Sequence, residues 1–291
     1  MGPSLADRVY ELRRDRRHGA SWMARRAVEA LVEATPQNAE SGEELFETLL
    51  SAARELARSR AEVGAVAGAL GRLVGAAHTS THLDPADLRR LVEEEAQGLI
   101  NARDRAAAAI AIQLRARLQD AFVLTHSASA TVREALQRTP PMHVCCTVSA
   151  PNEEGRAFAD DLREAGLNVD LVEDSDALAA VERSTLLLLG ADTVFRDGAV
   201  VNKIGTRALA ERADEVGIPT VVAVEVIKLA PLDSGDVPPL EPEAAKLFDI
   251  TPAELIDEFV TEEGTFRGDD IRPLVDRTPF LRQGYRLLRD L

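Results

Sequence analysis

The chain has 291 residues, 45% of them hydrophobic, and a formal net charge of −15 at pH 7. That length allows one large or two modest domains with ample core. The acidic balance argues against broad nucleic-acid binding, because phosphate backbones are repelled. Lys203, Lys228 and Lys246 are its lysines, and the remaining Lys/Arg cations are arginines. With so many acidic residues, that bias suits a salt-adapted source. No continuous apolar stretch opens the chain and none approaches membrane-spanning length, so neither a signal peptide nor a membrane helix is expected. Cys145 and Cys146 are adjacent; on a strand they point to opposite faces and do not bridge one another. Reduced core thiols in a cytosolic protein are the expectation.

Residues 4 to about 119 read as helices. Leu5, Val9 and Leu12 fit one helical face, Trp22, Ala27, Val28, Leu31 and Val32 a second, and Leu45, Leu49, Ala52, Ala53 and Leu56 a third. Ala61 to Ala77 is a small-residue helix whose Gly64, Gly68, Gly71 and Gly75 permit close helix packing. Its flanking charges, Arg60, Glu62 and Arg72, argue against a membrane helix dimer. Asp84 caps a long helical stretch with Pro85 at its first position, running to about Gln119 with a break near Gly98 or Asn101. His78 and His82 are four apart, but the intervening Thr-Ser-Thr favours a loop and no third ligand is evident, so no metal site is expected.

From Ala121 the period changes. Short apolar runs alternate with amphipathic helices, the pattern of a parallel sheet wrapped by helices. Expected strands are Ala121–Thr125, His143–Val148, Val169–Val172, Leu186–Leu189 and Thr220–Val224. Expected helices are Ala128–Arg138, Gly155–Ala165, Asp176–Arg183 and Thr206–Val216, with Gly166 and Gly217 as helix ends. The fold class is therefore α/β: an N-terminal helical domain, residues 1–119, then a Rossmann-like parallel-sheet domain with the ligand pocket, residues 120–291. No GxGxxG follows any strand, so no dinucleotide fingerprint is present and no cofactor is expected.

The chemistry concentrates in Leu186 to Thr206. Four leucines suit a strand buried on both faces, and Gly190-Ala191-Asp192 then sets a carboxylate at its carboxyl end, where open α/β sheets bind ligands. Arg196-Asp197-Gly198 reads as a hairpin turn. Asn202-Lys203-Ile204-Gly205-Thr206 leads into a helix with Thr206 as N-cap. Asp192 can accept hydroxyl protons, while Lys203 and the helix end suit a phosphate. A compact ammonium is not interchangeable with guanidinium at such a site. Thr125-His126-Ser127 forms a second ligand-side loop of hydroxyls leading into a helix.

The pair Gly190-Ala191-Asp192 and Asn202-Lys203-Ile204-Gly205-Thr206 resembles the signature of the initiation factor 2B family. That family holds the alpha, beta and delta regulatory subunits of translation initiation factor 2B and two sugar-phosphate isomerases, of methylthioribose-1-phosphate and ribose-1,5-bisphosphate. The resemblance covers most of residues 121–264 and, more weakly, the N-terminal third. It implies that Thr125, His126, Ser127, Asp192, Asn202, Lys203, Gly205 and Lys228 line the ligand site, with Asp192 the acid/base if the chain is an isomerase. Three positions depart from the isomerase pattern: Ser127 stands where a catalytic cysteine is implied, Ala150 where a phosphate-binding arginine falls, and His18 where an arginine precedes Gly19-Ala20. A serine hydroxyl is a far weaker acid than a thiol and needs an activating base.

Arg156 is either a replacement phosphate ligand or a solvated helix-start residue, and Lys228 either lies near the ligand or is exposed at a strand end. Phe248-Asp249-Ile250-Thr251-Pro252 resembles a family segment in which Asp249 caps or orients the ligand loop and Thr251-Pro252 opens a helix. Residues 269–291 resemble nothing recognisable. The resemblance implies first a non-catalytic regulatory subunit in translation initiation, a homodimer that binds initiation factor 2, with a sugar phosphate or nucleotide as signal. The alternative is a ribose-1,5-bisphosphate isomerase of nucleoside salvage.

Overall fold

The computed structural model describes residues 4–15 and 18–288. The chain divides into two compact units. The first comprises residues 1–104, 227–231 and 274–291, and the second residues 105–226 and 232–273. This differs from the expected division at residue 119. The boundary falls inside a helix, and two later segments return to the first unit. The last of them is apolar on one face only and buries Leu281 and Leu288 there.

The first unit is helical: α1 (Leu5–Arg14), α2 (Ala20–Glu33), α3 (Gly42–Arg58), α4 (Gly64–His78), the start of α5 (Pro85–Leu118) and the late α11 (Pro279–Leu287). A two-residue strand, β8 (Leu229–Ala230), also belongs to it. Ser4 and Ser41 cap α1 and α3 through their side chains, which accept from the amides of Asp7 and Glu44. Asp84 accepts from Ala86 and Asp87, and those backbone bonds, that of Asp87 foremost, hold its carboxyl below the ordinary range. The α5 helix runs unbroken through Gly98 and Asn101, where a break was expected. No proline falls within it after Pro85, and single glycines weaken a helix without ending it.

The α4 helix is the hub. It is apolar nearly all round, as a helix surrounded by protein must be, and buries Val66, Leu70, Leu73 and Val74. Its glycines work as expected. A Cβ on Gly71 would lie 2.9 Å from Gly284 Cα of α11, and one on Gly284 would lie 2.6 Å from Gly71. The two backbones therefore touch directly.

The second unit holds a seven-stranded sheet in the order β11-β10-β7-β4-β1-β2-β3. Its members are β1 (Phe122–Thr125), β2 (His143–Thr147), β3 (Val169–Val172), β4 (Leu186–Leu189), β7 (Thr220–Ala223), β10 (Glu258–Thr261) and β11 (Gly264–Phe266). All neighbouring pairs are parallel except β10 with β11. Helices α6 (Ala130–Arg138), α7 (Glu154–Glu164), α8 (Ala177–Val181) and α9 (Thr206–Val216) make the crossovers, and α10 (Gly268–Asp276) follows the sheet. All four leucines of β4 are buried. Because side chains alternate along a strand, apolar cover on both faces follows. Cys146 is buried and Cys145 half-buried. Burial first, helped by neighbouring charge, pushes their thiols up to about 12 and about 11, so both stay protonated.

Beyond β4 the expected hairpin forms: β5 (Thr193–Phe195) pairs antiparallel with β6 (Val200–Lys203), and β6 with β9 (Phe248–Thr251). Gly198 makes the turn with φ +85°. Thr251-Pro252 opens only one 3₁₀ turn, Ala253–Leu255, rather than a helix.

Two substitutions test the helical hub. Gly71→Val should destabilise the protein by about 1–3 kcal/mol, because the new side chain has no space against α11. Gly98→Ala, at an exposed site in α5 with open space around it, should stabilise by about 0.5–1 kcal/mol. Urea unfolding of both variants measures the contrast.

Candidate functional site

In the order β3-β2-β1-β4-β7 the chain turns back at β1 and β4, and a doubly wound sheet opens its binding crevice at that reversal. Thr125-His126-Ser127 follows β1 and Gly190-Ala191-Asp192 follows β4, so the two expected ligand loops meet there. A Cβ on Gly190 would lie 2.5 Å from Ser129 Oγ, so the loops approach at a distance that only glycine permits. The loop after β2 and the segment joining β6 to α9 complete the site.

His126 is buried, and both its ring nitrogens are engaged. Nε2 lies 2.9 Å from the Ile204 carbonyl, which can only accept, so Nε2 carries the proton. Burial, the largest influence, drives its pKa below the ordinary 6.5, which makes the ring neutral. Nδ1 therefore accepts, from Thr147 Oγ1 at 2.6 Å. Thr147 Oγ1 in turn accepts from Ser149 Oγ at 2.8 Å, and Ser149 Oγ accepts from the Ser127 amide at 2.8 Å. Donation thus runs in one direction, from the Ser127 backbone to the start of α9. Gly205, φ +101°, lets the chain turn beside the imidazole: a Cβ there would sit 3.4 Å from His126 Nε2.

Ser127 has a left-handed backbone, φ +65°. Its hydroxyl donates to Glu154 Oε1 at 2.6 Å, and the same oxygen lies 2.7 Å from Lys203 Nζ. The Lys203 side chain is 7% exposed and that of Glu154 15%. Glu154 Oε2 is buried with no hydrogen-bond partner. What fixes Glu154 is its neighbour: a Cβ on Gly155 would lie 1.8 Å from the Thr147 carbonyl, so α7 starts in backbone contact with the end of β2. Ser149 and Glu153, φ +66° and +56°, turn the intervening loop. Residues held in this region each cost about 1–3 kcal/mol, and such positions gather at functional sites.

Two further carboxylates fill places where an anion would bind. Asp174 accepts from the Ser149 amide at 2.8 Å and the Ala150 amide at 2.7 Å. Asp249 accepts from Gly205 at 2.7 Å and Arg207 at 3.3 Å, the amides at the start of α9. The helix end expected to hold phosphate thus carries an internal carboxylate. Burial, the largest effect, raises the Asp249 carboxyl above its ordinary range, against the lowering effect of those amides.

The α9 cap also differs from expectation. Gly205, not Thr206, is the N-cap, because only the left-handed backbone there turns the chain onto the helix. Thr206 sits one residue in. It accepts from Asn202 Nδ2 at 3.0 Å and donates to the Lys203 carbonyl at 2.6 Å.

Of the expected site residues, the structure gathers His126, Ser127, Lys203 and Gly205 around this network, with Thr125 directly before them on β1. Asp192 and Asn202 lie together at the hairpin base, where the Asp192 amide donates to the Val201 carbonyl. Lys228 is buried in the first unit; an exposed strand-end lysine is therefore excluded. Arg156 points to exposed Glu153 and Glu173, at 2.8 and 3.1 Å, and serves as the solvated helix-start residue. His18 pairs with Asp15 and stacks on Trp22 with ring centroids 3.9 Å apart. Sequence reasoning missed Glu154, Asp174, Thr147 and Ser149 as members of the site. The available signal was position: each lies at or just beyond the carboxyl end of β2 or β3.

Fold and site together define a doubly wound α/β protein with a polar, carboxylate-rich crevice at the β1/β4 reversal. The model of the initiation factor 2 subunit family matches residues 16–244, and the chain belongs to that family. A translation initiation factor eIF-2B subunit 2-like protein of Pyrococcus horikoshii is 32% identical over 88% of this chain and 94% of its own length. A ribose 1,5-bisphosphate isomerase of Haloferax volcanii is 31% identical, over 87% of this chain and 85% of its own. The crystal structure of the Pyrococcus horikoshii translation initiation factor eIF-2B superposes with a TM-score of 0.78 at 25% identity, covering 91% of this chain and 97% of that one.

The neutral imidazole has a thermodynamic signature. Its folded-state pKa lies below 6.5, so the unfolded chain binds the extra proton first as pH falls. His126 therefore contributes stability that is fully present above pH 6.5 and is lost as pH drops through that value toward the folded-state pKa. The expected outcome is a wild-type minus His126→Gln stability difference that shrinks on acidification from pH 7.5 to 5. Urea midpoints across that range measure it; a pH-independent difference would contradict the lowered pKa of His126.

Proposed function

We propose that this chain is a non-catalytic, regulatory member of the family, acting in translation initiation. It works as a cytosolic homodimer that binds initiation factor 2, with the crevice as a signal site for a phosphorylated sugar or nucleotide. The observation that carries the reading is the state of the two groups after β1. Interconverting an aldose and a ketose requires a group that moves a proton at carbon, with a pKa near the working pH. His126 has both nitrogens engaged in the fold. Ser127 replaces a thiol with a hydroxyl, and that hydroxyl already donates to Glu154. Asp192 remains as the expected acid/base.

The alternative is a ribose-1,5-bisphosphate isomerase. It draws on the relatives so named and on one contact: Glu154 accepts the Ser127 proton and is a candidate activating base. Activation in this form has to compete with Lys203, which holds the same carboxylate oxygen at 2.7 Å.

Incubation of the purified protein with ribose-1,5-bisphosphate tests the proposal. The expected result is no ribulose-1,5-bisphosphate above the level of a Lys203→Ala control. Turnover well above that control, abolished by Asp192→Asn, would make the chain an isomerase.

A further inference from the structure

Three places in the crevice present hydrogen-bond donors suited to an anion: the Ser149 and Ala150 amides, the start of α9, and the Lys203 ammonium with the Ser127 hydroxyl. A carboxylate of the chain itself sits on each. They differ in how they are held. Asp174 uses both oxygens on backbone amides, and Asp249 is bound through one oxygen to two backbone amides at the helix start, its other oxygen buried without a hydrogen-bond partner. These two are parts of the loop architecture. Glu154 is held only through side chains, and through a single oxygen. Its second oxygen is buried without a hydrogen-bond partner.

A buried carboxylate oxygen left unpaired is costly, so this arrangement is not what the fold alone would favour for a glutamate. It follows from charge. The Lys203 side chain is more than nine-tenths buried, and a charge so placed must meet an anion at close range. A phosphate oxygen would take the same two bonds, one from the ammonium and one from the hydroxyl.

We infer that Glu154 is an internal anion seated on Lys203 and Ser127, and that it sets the charge of the ligand the crevice accepts at that point. While it holds Lys203, a phosphate group is refused there, both because the donors are taken and because two anions would share one cation. A neutral hydroxyl group suffers no such repulsion. Glu154 is thus a specificity-determining residue. Gly155 sets the position by letting α7 start in backbone contact with the end of β2. The inference rests on the proposed regulatory reading only for the class of ligand, a phosphorylated polyol.

Isothermal titration with inorganic phosphate at constant ionic strength tests it. Glu154→Gln should bind phosphate about tenfold more tightly than wild type or better, the worth of a charge-assisted bond set free. Adding Lys203→Met to that variant should abolish the gain. Equal affinity of wild type and Glu154→Gln would overturn the inference, as would a gain that survives the loss of Lys203. Glu154→Ala, which leaves no acceptor beside Lys203, gives the same comparison if the glutamine variant does not fold. The titration reads anion affinity and not turnover, so its failure is distinguishable from failure of the non-catalytic reading.

Discussion

The site depends on one buried charge. Lys203 ends β6 with its side chain buried, and an uncompensated ammonium in such a place is strongly unfavourable. Glu154 meets it at 2.7 Å. That contact ties the start of α7 to the end of β6, and through Ser127 to the end of β1. Gly155 makes the arrangement possible by letting α7 begin in contact with the Thr147 carbonyl. A side chain there would push the helix, and Glu154 with it, out of reach.

A second network runs beside the first and shares its backbone. The ordered bonds from Ser127 through Ser149, Thr147 and His126 to Ile204 use up each donor and acceptor of the imidazole. A histidine so fixed is a strut between β1, β2 and the start of α9. Such polar networks are rigid when fully satisfied, and rigidity here holds Gly205 and the α9 end in place. The same satisfaction removes His126 from proton transfer. At the sheet reversal His126, Ser127, Glu154 and Lys203 are thus all engaged with groups of the chain itself.

Much of this fold could be read from the sequence because its signals are local. Val169–Val172, Leu186–Leu189 and Thr206–Val216 fall where apolar periodicity and glycine ends put them. The hairpin at Asp197-Gly198 follows from its turn residues. What escaped depends on contacts between distant segments. The C-terminal helix joins the first unit through Gly71 and Gly284, and two glycines in separate helices carry no mark of their partner. Asp192, Lys203 and Ser127 stood out by residue type and by family resemblance. Glu154 did not, because an acidic residue in the first turn of a helix is ordinary. Its pairing with Lys203 appears only once the fold brings the start of α7 to the end of β6. Thr206 was expected as the cap because its hydroxyl suits one, whereas the positive φ of Gly205 decides the geometry.

The central claim is that Glu154 and Lys203 are energetically coupled and hold the crevice in its present charge state. A double-mutant cycle of Glu154→Gln and Lys203→Met, read by urea unfolding at pH 7.5, tests it most directly. The account predicts a coupling of about 1.5–3 kcal/mol, the range for a hydrogen bond between charged groups shielded from water. Additivity within about 0.5 kcal/mol would contradict it, because the two side chains would then not depend on each other.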